Sequence, residues 1–228
     1  MTRPDAPAAL LFDFDGTILE TEGPSYRSWQ ELFDEHGLEL TLDAWSVTVG
    51  ALNLVDPVAM LEEALGRELD GDGLRRRRMR RKLELVAEEA LRPGVEQLIA
   101  DARHHGLRLG IVTSATGEWV RRHLARLRLD EAWDLIVAAD GDPERAKPAP
   151  VVYLEALEAL DIEPDAAIAI EDSPNGVRAA KAAGIPCVAV PNPITRRLDL
   201  SHADVVLDTL DGVGVADLAA AVRTPQRT

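Results

Sequence analysis

The chain has almost no cysteine. It has a single cysteine, Cys187, among 228 residues, so no disulfide can form within the chain. A chain of this kind fits a reducing compartment, and we predict a cytoplasmic protein. Cys187 lies in the apolar run from Ile185 to Val190, which indicates a buried, inert thiol.

Long apolar runs are also missing. No stretch approaches the roughly 20 residues that a membrane-spanning helix needs, and the segment from Met1 to Asp5 lacks the apolar part of a signal peptide. We therefore expect no membrane partner. Apolar residues still make up 46% of the chain and charged residues 29%, proportions typical of a folded chain that can bury a large core.

Basic residues are outnumbered, with 25 lysines and arginines against 40 aspartates and glutamates. The formal net charge is −15, which argues against a general affinity for nucleic acid. One basic segment, from Arg75 to Lys82, lies in a helical pattern and is either a solvated helix face or an electrostatic attractor for an anionic substrate. The apolar face predicted for that helix comprises Met79, Leu83, Val86 and Ala90. No partner protein is indicated, and we expect a monomer.

Lysine is rare, with three lysines against 22 arginines. One of the three, Lys147, stands alone in Ala146-Lys147-Pro148-Ala149-Pro150, between a loop and a helix start. A compact ammonium donates in several directions, which suits one charge that balances both a carboxylate and a phosphoryl oxygen. The alternative is an ordinary surface lysine.

Short apolar runs, in contrast, recur along the chain and predict buried parallel strands. Helical periodicity separates the later ones, and this alternation predicts an α/β fold, a doubly wound parallel sheet of the Rossmann-like kind. The runs cover residues 8–12, 107–113, 135–138, 166–170, 186–190 and 205–207.

The rhythm of strand and helix breaks between residues 19 and 91. This part has helical periodicity without a convincing strand, and Pro57 suits a first helical position. We predict a core domain of residues 1–18 and 92–228 and an all-helical cap of residues 19–91. An insert at this place would cover the carboxyl edge of the sheet, where open α/β sheets bind ligands.

Two aspartates close the first apolar run, in Leu10-Leu11-Phe12-Asp13-Phe14-Asp15-Gly16-Thr17. Gly16 lets the chain turn just beyond the strand, so Asp13 and Asp15 crowd one strand tip. Such a pair is costly unless a cation neutralises it, and Mg2+ with oxygen ligands is the usual cation. The simpler alternative is that Asp15-Gly16 is only a turn.

The second and fourth runs also end in polar groups. Thr113-Ser114 places hydroxyls at one strand end, where they suit a phosphate oxygen or an ordinary strand exit. Glu171-Asp172 places carboxylates at the other, as hard ligands for Mg2+ or as an N-cap cluster that leaves Glu171 unexplained. Zinc is disfavoured because no cysteine or histidine stands near these strand ends.

At these strand ends and at Lys147 the chain resembles the haloacid dehalogenase (HAD) superfamily, in the capped branch of β-phosphoglucomutase-like and phosphoglycolate-phosphatase-like enzymes. The resemblance implies that Asp13 is the nucleophile that forms an aspartyl-phosphate and that Asp15 is the general acid and base. It implies a phosphate contact from Thr113 and charge stabilisation from Lys147. The dehalogenases of the superfamily lack the second aspartate, so Asp15 favours phosphate chemistry.

The resemblance also implies a Mg2+ site and a phosphate site. Mg2+ would be bound by Asp172, by Asp13 and by the carbonyl of Asp15. Glu171 would be either a further ligand or a neighbour of the ligands that does not touch the ion. The implied phosphate-binding and substrate-binding residues are Gly16, Thr17, Thr113, Ser114 and Lys147.

Two departures from the family pattern bear on the substrate. β-Phosphoglucomutases commonly carry a histidine in the cap hinge and a Gly-Val-Ser-Arg loop that grips the distal phosphate. Here the hinge position is Ser25 and the loop reads Gly50-Ala51-Leu52-Asn53. We therefore predict a Mg2+-dependent phosphatase for a small phosphate monoester, with a sugar phosphomutase as the alternative. A phosphate-binding pseudoenzyme is disfavoured because binding alone does not need Asp15.

Overall fold

The computed structural model describes residues 6–50 and 56–223, with residues 47–50 described by their backbone alone. At its centre lies a six-stranded sheet in the order β3-β2-β1-β4-β5-β6, and every pair of neighbouring strands is parallel. The predicted doubly wound α/β fold is confirmed. The strands are β1 (Ala9–Phe12), β2 (Arg108–Thr113), β3 (Leu135–Ala138), β4 (Ala167–Glu171), β5 (Cys187–Ala189) and β6 (Val205–Val206).

The central strands read as continuous apolar runs because both faces of the sheet are covered. Side chains of β1 alternate between the two faces: Leu10 and Phe12 belong to one apolar cluster, and Ala9 and Leu11 to the other. All four residues of β1 are fully buried. An alternation of apolar and polar residues is therefore absent, as expected for a parallel sheet between helices.

The rest of the described chain consists of nine α-helices, three short 3-10 helices and the loops between them. Four of the α-helices follow β1 directly, and five cover or flank the sheet. They are α1 (Glu22–Glu35), α2 (Leu42–Gly50), α3 (Pro57–Leu65), α4 (Gly71–Glu88), α5 (Val95–His104), α6 (Gly117–Leu127), α7 (Val151–Leu160), α8 (Pro174–Ala182) and α9 (Val215–Arg223).

Helices α1 to α4 have a small apolar core of their own, as expected for a cap. It is built around Trp29 and Phe33 of α1 and Leu61 of α3, and it also includes Ile194 from the segment after β5. Asp56 caps α3 through the backbone N–H of Val58, with proline in the first turn as predicted. The division of the chain at residues 19 and 91 stays a prediction.

The apolar face predicted for the basic helix is wrong in part. In α4 the buried positions are Leu74, Leu85 and Val86, whereas Met79 is 48% exposed and Ala90 lies beyond the helix end. The reason is that α4 packs on α1 partly through charged side chains, which a search for apolar spacing does not detect. These contacts include Arg77 with Glu35 and Arg81 with Glu31.

Two further expectations concern cysteine and membranes. Cys187 is a free, buried thiol in β5, as its apolar surroundings predict. Within residues 6–50 and 56–223, no helix combines the length and the apolar character that crossing a bilayer requires.

Candidate active site

The candidate site lies where the strand order of the sheet reverses. The chain runs from β1 outward to β2 and β3, then returns to place β4 on the other side of β1, and ligands of such sheets bind at the carboxyl ends beside this point. A pocket of about 250 Å³ opens there. Its lining comprises Asp13, Asp15, Glu22, Thr113, Ser114, Ala115, Lys147, Asp172, Ser173, Asn175 and Thr195.

Lys147 joins two of the strand ends. Its Nζ lies 2.6 Å from Asp13 Oδ1 and 2.6 Å from Glu171 Oε1, and it donates a third hydrogen bond of 2.7 Å to the carbonyl of Val112. Burial alone would lower the pKa of Lys147, but the carboxylates of Asp13 and Glu171 raise it above the ordinary value. Lys147 is therefore a buried structural cation as well as a candidate catalytic one.

Three carboxylates lie together here, and two of them, Asp13 and Glu171, contact the Lys147 ammonium. Asp13, Glu171 and Asp172 each offer an oxygen within 4.8 Å of the others. Burial raises the pKa of Asp13 to about 8 against the attraction of Lys147, and burial next to Asp13 and Glu171 raises the pKa of Asp172 well above its usual range. The cluster therefore has more negative charge than Lys147 can balance.

The cluster fits a small divalent cation. Glu171 Oε2 is buried and has no hydrogen-bond partner among the described residues, which is costly for a carboxylate unless a positive charge faces it. The available donors are carboxylate oxygens, which Mg2+ prefers. Asp13, Glu171 and Asp172 could together hold Mg2+.

Two glycines let the backbone approach this cluster. A Cβ on Gly16 would lie 2.1 Å from Asp172 Oδ2, and Gly16 has a φ of +84°, a conformation that favours glycine. A Cβ on Gly176, in the first turn of α8, would lie 1.7 Å from Glu171 Oε2. Both positions exclude larger residues because the carboxylates fill the space.

The structure brings most of the predicted phosphate-binding residues together. Thr113 and Ser114 line the pocket with Lys147, and Ser114 Oγ accepts a 3.0 Å hydrogen bond from the backbone N–H of Lys147. Gly16 and Thr17 are not in the lining: the Gly16 N–H donates to the carbonyl of Leu19, and Thr17 is 1% exposed. A phosphate contact from Gly16 or Thr17 stays a prediction.

Two supporting residues were missed by sequence reasoning. Tyr153 of α7 donates a 2.6 Å hydrogen bond to Glu171 Oε1, and the Asn192 side chain donates a 2.8 Å hydrogen bond to Asp172 Oδ2. Both are buried, and each fixes a carboxylate that faces the cation site. Tyr153 follows the Lys147 motif closely, a spacing that could have drawn attention to it, whereas Asn192 has no such signal.

Asp15 lies at the outer side of the site. Its Oδ1 accepts a 3.0 Å hydrogen bond from the indole N–H of Trp119, in the first turn of α6. Glu22, at the start of α1, lines the same pocket. Burial raises the pKa of Glu22, an effect that Lys82 opposes and Asp15 reinforces. Trp119 and Glu22 were not identified from the sequence.

Comparison with known proteins defines the class. The family model of the haloacid dehalogenase-like hydrolases matches residues 10–190, so the chain belongs to that family of hydrolases. The predicted family and the prediction of an enzyme are confirmed.

Three relatives cover nearly the whole chain. YhcW of Bacillus subtilis is 40% identical over 89% of this chain and 91% of its own length. Validoxylamine A 7'-phosphate phosphatase of Streptomyces hygroscopicus subsp. limoneus is 31% identical over 89% of this chain and 94% of its own. The structure of CbbY from Rhodobacter sphaeroides with xylulose-(1,5)bisphosphate is 33% identical, with a TM-score of 0.70 over 93% of this chain and 99% of that chain.

Proposed function

We propose that this protein is a Mg2+-dependent phosphatase that hydrolyses a small phosphate monoester through an aspartyl-phosphate on Asp13. One observation carries the proposal: the Asp13 carboxylate, at the tip of β1, contacts Lys147 and lies beside Glu171 and Asp172 in a pocket that also contains Asp15. A nucleophile, a cation site and a proton carrier thus meet at one sheet edge.

The chemistry divides between the two aspartates. An Asp13 oxygen forms a bond to phosphorus while the bond from phosphorus to the leaving oxygen breaks, and Asp15 gives that oxygen its proton. Water then attacks the phosphorus, Asp15 takes up the proton of the water, and inorganic phosphate leaves Asp13. The alcohol and phosphate are released, and both aspartates return to their starting states.

Positive charge is the other requirement. Lys147 holds Asp13 in place and faces the position that phosphoryl oxygens would take, so it offsets part of their negative charge. Asp13, Asp172, Glu171 and the Asp15 carbonyl would hold Mg2+, which supplies further positive charge to the phosphoryl oxygens when bound.

The lining of the pocket favours a polyhydroxylated leaving group. Glu22, Ser173, Asn175 and Thr195 all face the pocket, and their side chains can donate to or accept from hydroxyl groups. A sugar phosphate or a similar metabolite suits this lining. The CbbY structure holds xylulose-(1,5)bisphosphate, and the Streptomyces phosphatase is named for validoxylamine A 7'-phosphate. Both compounds have this chemical character.

A panel of phosphorylated metabolites tests the proposal. Sugar phosphates, phosphorylated acids and nucleotides are each incubated with the purified protein and Mg2+, and released phosphate is measured. We expect turnover of at least one sugar phosphate. Binding of these compounds without any phosphate release would instead support the pseudoenzyme.

Removal of the metal ion should abolish the activity. We expect EDTA to stop phosphate release and added Mg2+ to restore it, because three buried carboxylates cluster together and Lys147 contacts only two of them. Mg2+ should also raise the melting temperature of the wild-type protein, since it binds the folded cluster.

Ligand variants refine the metal prediction. Asp172→Ala should raise the Mg2+ concentration for half-maximal activity more than Glu171→Ala does, because Glu171 is also held by Lys147 and Tyr153. Full activity in EDTA, or a larger effect of Glu171→Ala, would contradict these assignments.

One observation favours a phosphomutase as the second candidate. Arg78 of α4 donates a hydrogen bond to Ser25, the hinge position where β-phosphoglucomutases commonly carry histidine, and its guanidinium stacks over Trp29. Arg78 is thus a cap cation near a position where a distal phosphate would need to be held. Its Nε is buried without a partner among the described residues. Residues 51–53 of the predicted cap loop, including Asn53, lie outside the described part.

A direct assay separates phosphatase from mutase. The enzyme is incubated with β-glucose 1-phosphate, Mg2+ and a bisphosphate primer, and glucose 6-phosphate and free phosphate are followed together. We expect little isomerisation, because a mutase must exclude water and hold a bisphosphate while it turns. Rapid formation of glucose 6-phosphate with negligible phosphate release would establish the mutase, and a loss of that isomerisation in Arg78→Ala would assign the binding of the distal phosphate to Arg78.

A further inference from the structure

Trp119 lies between the cap and the Asp15 carboxylate. Its indole N–H donates to Asp15 Oδ1 at 3.0 Å. The indole and the ring of His123, in the same helix, pack in a T-shaped arrangement with centroids 4.2 Å apart. Lys82 of α4 places its ammonium 5.6 Å from the indole centroid. The tryptophan therefore contacts the core, the cap and the proposed general acid.

The contacts of Trp119 restrict it strongly. Thr116 accepts a hydrogen bond from the backbone N–H of Trp119 and fixes the first turn of α6. His123 is 4% exposed, and burial lowers its pKa, so Trp119 packs on a neutral ring. The indole is thus set in place by its own helix before the Asp15 contact is considered.

An indole N–H can donate a hydrogen bond but cannot accept one. It therefore fixes Asp15 Oδ1 as an acceptor and leaves Oδ2 as the oxygen that carries a transferable proton. Asp15 follows Asp13 by two residues and sits at a turn, so its side chain needs an external contact to hold one orientation. Trp119, 104 positions away in sequence, provides that contact.

We propose that Trp119 is a positioning residue for the general acid and base, holding Asp15 so that Oδ2 faces the leaving oxygen and later the attacking water. Lys82 extends this arrangement to the cap, because its ammonium lies over the indole that orients Asp15. The inference rests on the proposed phosphatase function. In this role Trp119 neither contacts the substrate nor transfers a proton.

Trp119→Phe tests the proposal because it removes the N–H and keeps an aromatic ring. Trp133→Phe is the matched control: Trp133 packs on Phe12 of β1, and its Nε1 has no hydrogen-bond partner among the described residues. For an alkyl phosphate such as a sugar phosphate, we expect Trp119→Phe to lower kcat about 10- to 100-fold, as for the loss of one hydrogen bond to a charged group. KM should stay within about twofold, and Trp133→Phe should retain the wild-type kcat.

A second substrate separates positioning from a loss of structure. p-Nitrophenyl phosphate has a leaving group that needs no proton, so Asp15 matters only for hydrolysis of the aspartyl-phosphate. Trp119→Phe should release one equivalent of p-nitrophenolate at the wild-type rate and then turn over slowly. A misfolded variant would instead lose both the initial burst of p-nitrophenolate and the slower steady-state turnover that follows it.

The cap contact has its own variant. Lys82→Met keeps the aliphatic stem and removes the ammonium, and it should lower kcat for the alkyl phosphate less than Trp119→Phe does. Combining the two substitutions should give less than the product of their separate effects, because both act through the orientation of Asp15.

The outcomes distinguish this inference from the function on which it rests. If the wild-type protein releases neither phosphate nor p-nitrophenolate, the proposed function is wrong. If the wild type is active and Trp119→Phe matches Trp133→Phe on both substrates, the positioning role is wrong and the phosphatase stands. If Trp119→Phe slows the burst and the steady-state release of p-nitrophenolate equally, Trp119 has only a structural role.

Discussion

Replacing Asp13 with asparagine should lower phosphate release by several orders of magnitude, because a neutral amide does not attack phosphorus to form an acyl-phosphate. The substitution keeps the size of the side chain and one oxygen that can accept from Lys147. Phosphate release is measured on any substrate that the wild type accepts. Asp142→Asn, at an exposed loop position, is the matched control and should leave turnover unchanged.

The fold of this variant should survive. Burial raises the pKa of Asp13 to about 8 without a metal ion. Below that pH, the folded protein favours the neutral form of this side chain. We therefore expect Asp13→Asn, without Mg2+, to melt no lower than the wild type. Retention of even about a tenth of the wild-type rate would contradict covalent catalysis by Asp13.

Replacing Asp15 with asparagine should slow turnover by roughly 10²- to 10⁴-fold, the range for loss of a general acid and base. The residue at position 15 keeps its backbone carbonyl, which is the atom proposed to face Mg2+. The apparent Mg2+ affinity should therefore stay near the wild-type value. Steady-state kinetics at several Mg2+ concentrations measure both quantities, and a weakened affinity with unchanged chemistry would overturn the assignment.

The sheet was predictable because its residues are buried on both sides. A strand such as β4 (Ala167–Glu171), with every residue buried, needs a continuous apolar run, and such runs are visible in a sequence. Glu171 is a charged residue at the end of this apolar run, and for that reason Glu171 and Asp172 could be identified as candidate site residues. The joint site of Asp13 and Asp172 was implied by the family resemblance, and it fits the observed sheet because β1 and β4 are parallel neighbours whose carboxyl ends lie at the same edge.

The supporting residues could not be predicted for a different physical reason. Trp119, Tyr153 and Asn192 each contact a carboxylate that is distant in sequence. Apart from the closeness of Tyr153 to the Lys147 motif, their local sequence does not distinguish them from ordinary packing residues. The same limit explains Met79, which apolar spacing assigned to a buried face. Helix α4 packs on α1 through ion pairs such as Arg81 with Glu31, and these leave Met79 exposed.

Trapping the phosphorylated protein tests the central claim most directly. Asp15→Asn is mixed with p-nitrophenyl phosphate and Mg2+, quenched in acid and digested, and the peptides are analysed by mass spectrometry, with an Asp13→Asn/Asp15→Asn double variant as the control. The leaving group needs no proton, whereas hydrolysis of the intermediate needs Asp15, so the intermediate should accumulate. We predict one phosphoryl group on Asp13 and none in the control. A burst of p-nitrophenolate without protein-bound phosphate, or with phosphate on another residue, would contradict the proposed mechanism.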